Sequence, residues 1–356
     1  MPILSRALVL CALSGLLGAA TVVQVHAAAP FAVAQAPGWY RIALGRYEVT
    51  ALLDGTHPFP AHEVLTRGTA SLDSADPGLA DRLLAAAYLK APVEGSINAF
   101  LVNTGTKLIL VDSGAGALYG ADGGHLPGNL RAAGYAPEQV DEVLLTHLHA
   151  DHVGGVALGT AAAFPNAVVR VNRRDAAYWL STAEQGKAPA FLRGMFDGAM
   201  TSLKPYIAAG RFKPFDGAGP LEEGITALAS PGHTPGHTAY LVESEGERLL
   251  AWGDTVHVAP VQFPDPGVTV KYDSDATQAA AHRRQWFAEA VRRGDCVAAA
   301  HISFPGLGHV VNGVDGYRWL PLNHVARDPV PGGAPLPRPC APRPASWQGA
   351  GLATSG

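Results

Sequence analysis

Hydrophobic residues along this chain fall in short runs, some alternating with polar positions and some unbroken, each bounded by Gly, Pro, Asn or Asp. Runs of that length predict strands at residues 47–53, 99–103, 107–112, 142–146 and 167–171. Asn103-Thr104-Gly105-Thr106 reads as a hairpin turn between two of them. Helical spacing appears at 126–133, stopped by Gly134, and at 175–180. The second half repeats the rhythm, with strands at 225–229 and 239–243, a turn at Ser244-Glu245-Gly246-Glu247, and a strand at 248–252. A helix over 275–293 follows, with Ser274 as its cap and Gly294 as its close, and then a last strand at 296–300. Two such halves predict an α/β protein with two sheets packed face to face and helices outside. No short repeat is present, which excludes a solenoid.

Composition narrows the class. With 48% hydrophobic and 16% charged residues in 356, the chain can bury a large core, and a disordered protein is excluded. The formal charge of -4 is spread without long blocks, which argues against nucleic acid or an anionic membrane and for a small neutral ligand. The opening MPILSRALVLCALSGLLGAATVVQVHAAAP places Arg6 before an apolar stretch and then small residues. It reads as a signal peptide, 1–27, cut after Val25-His26-Ala27, giving a periplasmic or secreted protein. The stretch is too short, and too poor in basic flanking residues, for a stable membrane anchor. Cleavage removes one base, Arg6, and no acid, taking the charge from -4 to -5.

Residues 28–327 are expected to form the folded domain, and the Pro- and Gly-rich 328–356 a disordered tail. An exported compartment permits a disulfide between Cys296 and Cys340. Cys296 enters an apolar strand while Cys340 sits among prolines, so a buried free thiol and a mobile one are expected.

The stretch THLHADHVGG follows the apolar Val143-Leu144-Leu145 and sets His147, His149, Asp151 and His152 in a loop at a strand end. His147 and His149, two apart in extended chain, point the same way and suit one ion; Asp151 and His152 lie past the turn and reach a second. Similar settings after later strands supply His233, within Gly232-His233-Thr234-Pro235-Gly236-His237-Thr238, then Asp254 after Gly253, and His301. Five histidines and two aspartates thus form a ligand set for two divalent ions. His147, His149 and His233 hold one, Asp151, His152 and His301 the other, and Asp254 lies between them. Zinc is the expected metal, although His and Asp donors also accept manganese, cobalt or iron. Paired cations of this kind bring a shared water close to hydroxide at neutral pH and polarise the bond under attack.

These motifs, in this order, resemble the metallo-β-lactamase-fold superfamily, and within it the methyl parathion hydrolases and related lactonases. The likeness extends to Asn103-Thr104-Gly105, Gly134-Tyr135, Phe164-Pro165-Asn166-Ala167-Val168-Val169-Arg170, and the run from His301-Ile302-Ser303-Phe304-Pro305 through Gly306-Leu307-Gly308-His309. The resemblance implies a four-layer αβ/βα sandwich with the metal site at one edge, and a homodimer is common among such proteins. It implies Asp254 as a bridging carboxylate and Asp151 as the group that passes a proton to the leaving group. His237 is expected to orient its neighbours through its ring nitrogens rather than hold an ion.

Tyr119, Trp179 and Phe196 match positions of an aromatic substrate pocket in that family, and Tyr272 is expected to join them. His257, three residues beyond Asp254, is placed at the mouth of the site, where parathion hydrolases carry an aliphatic residue. That departure favours a lactone or aryl ester, a small neutral hydrophobic substrate, over a phosphotriester. His57, His62, His125, His282 and His324 have no supporting context and read as surface or packing residues; Arg170, Arg173 and Arg174 read as a solvated face.

Four alternatives share part of the pattern. A β-lactamase of this fold lacks an aspartate at the Asp254 position. A thioester hydrolase of the glyoxalase II kind shares all seven ligands, but no basic cluster for glutathione is seen. An RNA-processing nuclease conflicts with export and acidity, and a non-catalytic metal-binding module would leave an open, complete ligand set unused.

Overall fold

Alternation along the central strands decides the layering. In Val93–Asn103, Ala99 and Leu101 join one buried cluster while Phe100 and Val102 join another. Leu108–Val111 divides the same way, Leu108 and Leu110 from Ile109 and Val111, and in Glu247–Ala251 Leu250 separates from Leu249 and Ala251. A strand buried on both faces needs a partner layer on each side, so sheets stack between helices.

The computed structural model describes residues 35–325 and 336–341. The expected signal peptide lies outside the described residues. One sheet has six strands in the order Trp39–Leu44, Tyr47–Phe59, Val93–Asn103, Leu108–Val111, Glu142–Leu144 and Val168–Arg170, the first four antiparallel and the last two joined in parallel. The other has seven, Gly219–Glu222, Ile225–Ala229, Thr238–Ser244, Glu247–Ala251, Cys296–Ala298, Leu307–Asn312 and Tyr317–Pro321, with a parallel step at Cys296–Ala298. Ile42, Val49, Ile109, Tyr240 and Leu249 fill the space between the sheets. The helix Ala190–Ala208 covers the outside of the first through Phe196, Leu203 and Tyr206, and Ala276–Arg293 covers the second through Trp286 and Phe287. The two-sheet expectation therefore holds, and the layers form an αβ/βα sandwich. Among the described residues no helix is long and apolar enough to cross a membrane.

Several details differ from the sequence reading. The strand predicted at 47–53 continues to Phe59, past a register shift between Leu53 and Gly55. The polar Asp54 does not end it, because its buried carboxylate accepts hydrogen bonds from the backbone N–H groups of Ala115, Gly116, Gly124 and Leu126 at 2.9, 3.2, 2.9 and 3.0 Å. The helix Ala276–Arg293 is capped by Asp275, whose carboxylate accepts from the Gln278 N–H, while the Ser274 hydroxyl donates to Gly232 instead. Arg170 is half-buried, 3.9 Å from both Glu142 and Glu222, and is no solvated face.

The cysteine expectation is overturned: Cys296 and Cys340 form a disulfide. Part of the stretch read as a tail is accordingly held, with the Ala43 N–H donating to Pro337 and Arg338 pairing with the buried Glu247. Proline-rich composition hid a cysteine that is 4% exposed in the core between the sheets.

Candidate metal centre and cleft

The loops at one edge of the sandwich carry the expected ligands, and buried carboxylates set their positions. Asp112 has a left-handed backbone, φ 59°, at the end of Leu108–Val111. Its carboxylate accepts from the Thr146 N–H at 2.8 Å and the Thr146 hydroxyl at 2.9 Å, and lies 2.9 Å from His152 Nδ1. Asp175 ties the two histidine loops together, accepting from the Leu148 N–H at 3.0 Å and the Gly236 N–H at 2.6 Å. Burial pushes its carboxyl up to about 6 even so. Asp273 lies 2.7 Å from His233 Nδ1, and the Ser96 carbonyl lies 2.9 Å from His301 Nδ1. In each case one ring nitrogen is engaged and the other is aimed inward, the arrangement found behind metal-bound histidines.

The inward atoms converge on Asp254. Its Oδ1 lies 2.9 Å from His152 Nε2 and 3.1 Å from His301 Nε2; its Oδ2 lies 3.2 Å from His233 Nε2 and 3.7 Å from His147 Nε2. His149 Nδ1 is 3.0 Å from His233 Nε2, and Asp151 Oδ2 is 3.4 Å from His301 Nε2. Two nests, His147, His149 and His233 with Asp254, and Asp151, His152 and His301, are joined by a third group within reach of one ion, Asp254, His257 and His301. The first two divide as the sequence reading did; the third was not expected. His237 lies behind them, accepting from the Asp254 N–H at 3.0 Å with its other nitrogen 3.1 Å from the Ser230 carbonyl. Gly253, at φ 54°, makes that approach possible, since a Cβ there would sit 2.6 Å from the His237 ring nitrogen.

Cations fit this nest. The Nε2 atoms of His147, His152 and His301 and Oδ1 of Asp254 are buried without a hydrogen-bond partner, though they crowd together. Orphaned polar atoms cost too much to be gathered without a ligand to satisfy them. Burial and neighbouring imidazoles hold His147 and His149 well below the ordinary histidine range, in the neutral form that binds metal. Against burial, Asp254 and Asp273 hold His233 up at about 9. Burial also opposes the ionisation of Asp254, yet His152 and His301 keep it well below the carboxylate range. Replacing Asp273 by Ala is expected to weaken metal binding about 10- to 100-fold, read by competition with a chelator, because His233 loses the partner that aims its ring.

Above the nest opens a cleft of about 550 Å³, solvent mouth included. Tyr119, Tyr272 and His257 line it, as expected, together with Phe59, Ile97 and Met195. Burial, with Asp151 and Asp254 adding to it, pushes the Tyr119 phenol far above its ordinary value; burial and Asp151 push Tyr272 up to about 12. Both stay protonated donors. His257 is 4% exposed, so it is a buried neighbour of the nest rather than a residue of its rim, with Nε2 3.0 Å from Asp254 Oδ2. Burial lowers it to about 4.

Trp179 and Phe196 are not in the lining, contrary to expectation. Both are buried, with the Trp179 ring edge-on to His149 at 4.8 Å and Phe196 packed on Trp179 at 4.5 Å, so they support the ligand from behind. His57, set aside on sequence, lines the cleft. Asp112, Asp175 and Asp273 were missed because each is a lone acid remote in sequence from what it holds, His152 for Asp112, the Leu148 and Gly236 N–H groups for Asp175, and His233 for Asp273. Only the position of Asp112, next after the apolar strand Leu108–Val111, hinted at a role.

An imidazole nest around a shared carboxylate, at the edge of paired sheets, defines the class: an α/β sandwich built to hold cations. The Metallo-beta-lactamase superfamily profile matches residues 92–301, and the chain belongs to that superfamily of metal-dependent hydrolases. Among solved structures, it is similar to the hydrolase AbOPH in the beta lactamase superfamily, at 36% identity and TM-score 0.76 over 82% of this chain and 100% of that one. It is also similar to AidC, a dizinc quorum-quenching lactonase in complex with a product, at 25% identity and TM-score 0.72 over 81% of this chain and 98% of that one. Curated relatives include a probable metallo-hydrolase of Mycobacterium bovis, 27% identical over 46% of this chain and 60% of that protein. Another is an N-acyl homoserine lactonase of Bacillus cereus, 26% identical over 41% of this chain and 50% of that protein. The chain thus spans about 60% or less of the length of these curated relatives.

Proposed function

We propose that the protein is an exported two-metal hydrolase that cleaves lactones or aryl esters, with phosphotriesters of the methyl parathion kind as a second substrate class. The observation that carries the reading is Asp254, whose two oxygens face two different sets of imidazoles, Oδ1 toward His152 and His301 and Oδ2 toward His147 and His233. His147, His149 and His233 would hold one ion and Asp151, His152 and His301 the other, zinc being the metal of the lactonase neighbour. Such a pair supplies Lewis acidity toward an ester and acidifies water to near neutrality.

The chain's own residues do the rest. Tyr119 and Tyr272 present protonated phenols to the oxygens of the bound ester, and Phe59, Ile97 and Met195 exclude water from its apolar part. Asp151, in the cleft lining, would carry a proton to the leaving alkoxide. Lactonase relatives support the ester class, and the disulfide supports export, since such bonds persist in oxidising compartments.

The test compares metal-loaded protein on a lactone, an aryl ester, a phosphotriester, a thioester and a β-lactam. Lactone or aryl ester should lead; a leading thioester or β-lactam, or no turnover of any, overturns the proposal. His257→Leu should shift the ratio of rates toward the phosphotriester, because it removes a polar ring 3.0 Å from Asp254 and adds apolar surface. An unchanged ratio would remove the reason for ranking lactones first.

A further inference from the structure

His57 stands near the end of Tyr47–Phe59, with its side chain 43% exposed, and lines the same cleft as Asp151 and Asp254. Its Nδ1 lies 2.8 Å from Asp122 Oδ2. A carboxylate only accepts, so Nδ1 carries the proton, and in the neutral ring Nε2 is left as an acceptor. Among the described residues no protein group bonds to that nitrogen.

The pair is held in place by the fold. Gly55 has no side chain where a Cβ would lie 1.9 Å from the Asp122 carbonyl oxygen, so the loop can close onto the strand. Asp54 binds that loop on both sides of Asp122, through Gly116 before it and Gly124 and Leu126 after it, and its own carbonyl accepts from the His125 N–H at 2.9 Å. The His57 ring rests on Tyr119 at 4.7 Å between centroids. A polar ring that lines the cleft and is held by a carboxylate on one side and an aromatic ring on another is a recognition element.

Building on the ester-hydrolase reading above, we propose that His57 sets substrate preference: its free ring nitrogen accepts a hydrogen bond from an amide N–H or a hydroxyl carried beside the scissile ester. The two phenols serve the oxygens of the ester, and His57 supplies the complementary acceptor. A donor that leaves water on entering the cleft finds its partner there; an analogue without one gains nothing from the nitrogen.

The test uses two lactones alike except at the ring substituent, one bearing an acylamino N–H and the other its N-methyl form, compared at one fixed pH. Wild type should prefer the N–H lactone by about three- to tenfold in kcat/KM. His57→Leu should bring the ratio toward one, through KM rather than kcat. His57→Gln, whose carbonyl can accept, should restore part of the preference. Equal ratios in wild type and His57→Leu, or the same loss on both lactones, overturn the proposal. If wild type turns over neither lactone nor a simple aryl ester, the ester reading fails instead. Calorimetric affinities for the matching N–H and N-methyl cyclopentanones, which cannot be hydrolysed, then decide on the acceptor by themselves.

Discussion

Asp254→Asn should lose metal and activity together, with metal affinity falling by more than about a hundredfold and kcat/KM by at least about a thousandfold. The change is nearly isosteric but removes the charge that both nests share and turns one of the two converging oxygens into an amide donor facing imidazoles. Outer partners of a metal ligand alone cost 10- to 100-fold when lost, so a carboxylate that faces both sets of imidazoles should cost more. Metal content after gel filtration and turnover of an aryl ester are the two measurements. A variant that keeps two ions per chain and wild-type turnover would remove the bridging role and the mechanism built on it. The His237 ring, which accepts from the Asp254 backbone N–H, should hold the loop in place, so a folded but metal-poor protein is the expected product.

The second large effect lies away from the metal. Asp54→Ala should destabilise the protein by about 3–5 kcal/mol, since four backbone N–H groups lose their shared acceptor inside the protein. The loop these groups anchor carries Tyr119 and Asp122, so KM should rise before the fold fails. Denaturant titration of the metal-free protein checks the first part, and steady-state kinetics at low temperature the second. A loss below about 1 kcal/mol would show that packing, not this carboxylate, fixes the loop.

How much of this was legible in the sequence follows from how local each feature is. His147, His149, Asp151 and His152 occupy one loop, and their spacing announces them. His233, Asp254 and His301 each follow an apolar run, so strand ends could be matched to ligands without coordinates. Asp273 is 40 positions from His233, and Asp122 is 65 from His57; a carboxylate that reaches its histidine only through tertiary structure leaves no local pattern. Trp179 and Phe196 were misplaced because the family resemblance put them in the pocket, whereas aromatic rings on helices more often pack in the core, as both do here behind His149. Asp54 was unreadable for the opposite reason: a buried acid breaks the apolar pattern of its strand, and only the N–H groups gathered around it explain why the strand continues.

The covalent link between Cys296 and Cys340 closes a ring of chain across 44 positions. A backbone nick anywhere inside that ring leaves two fragments that travel as one species on non-reducing electrophoresis and part when a thiol is added. Protein whose free thiols are alkylated before it leaves its native setting, and which still shows this behaviour, would trace the bond to biosynthesis rather than to handling.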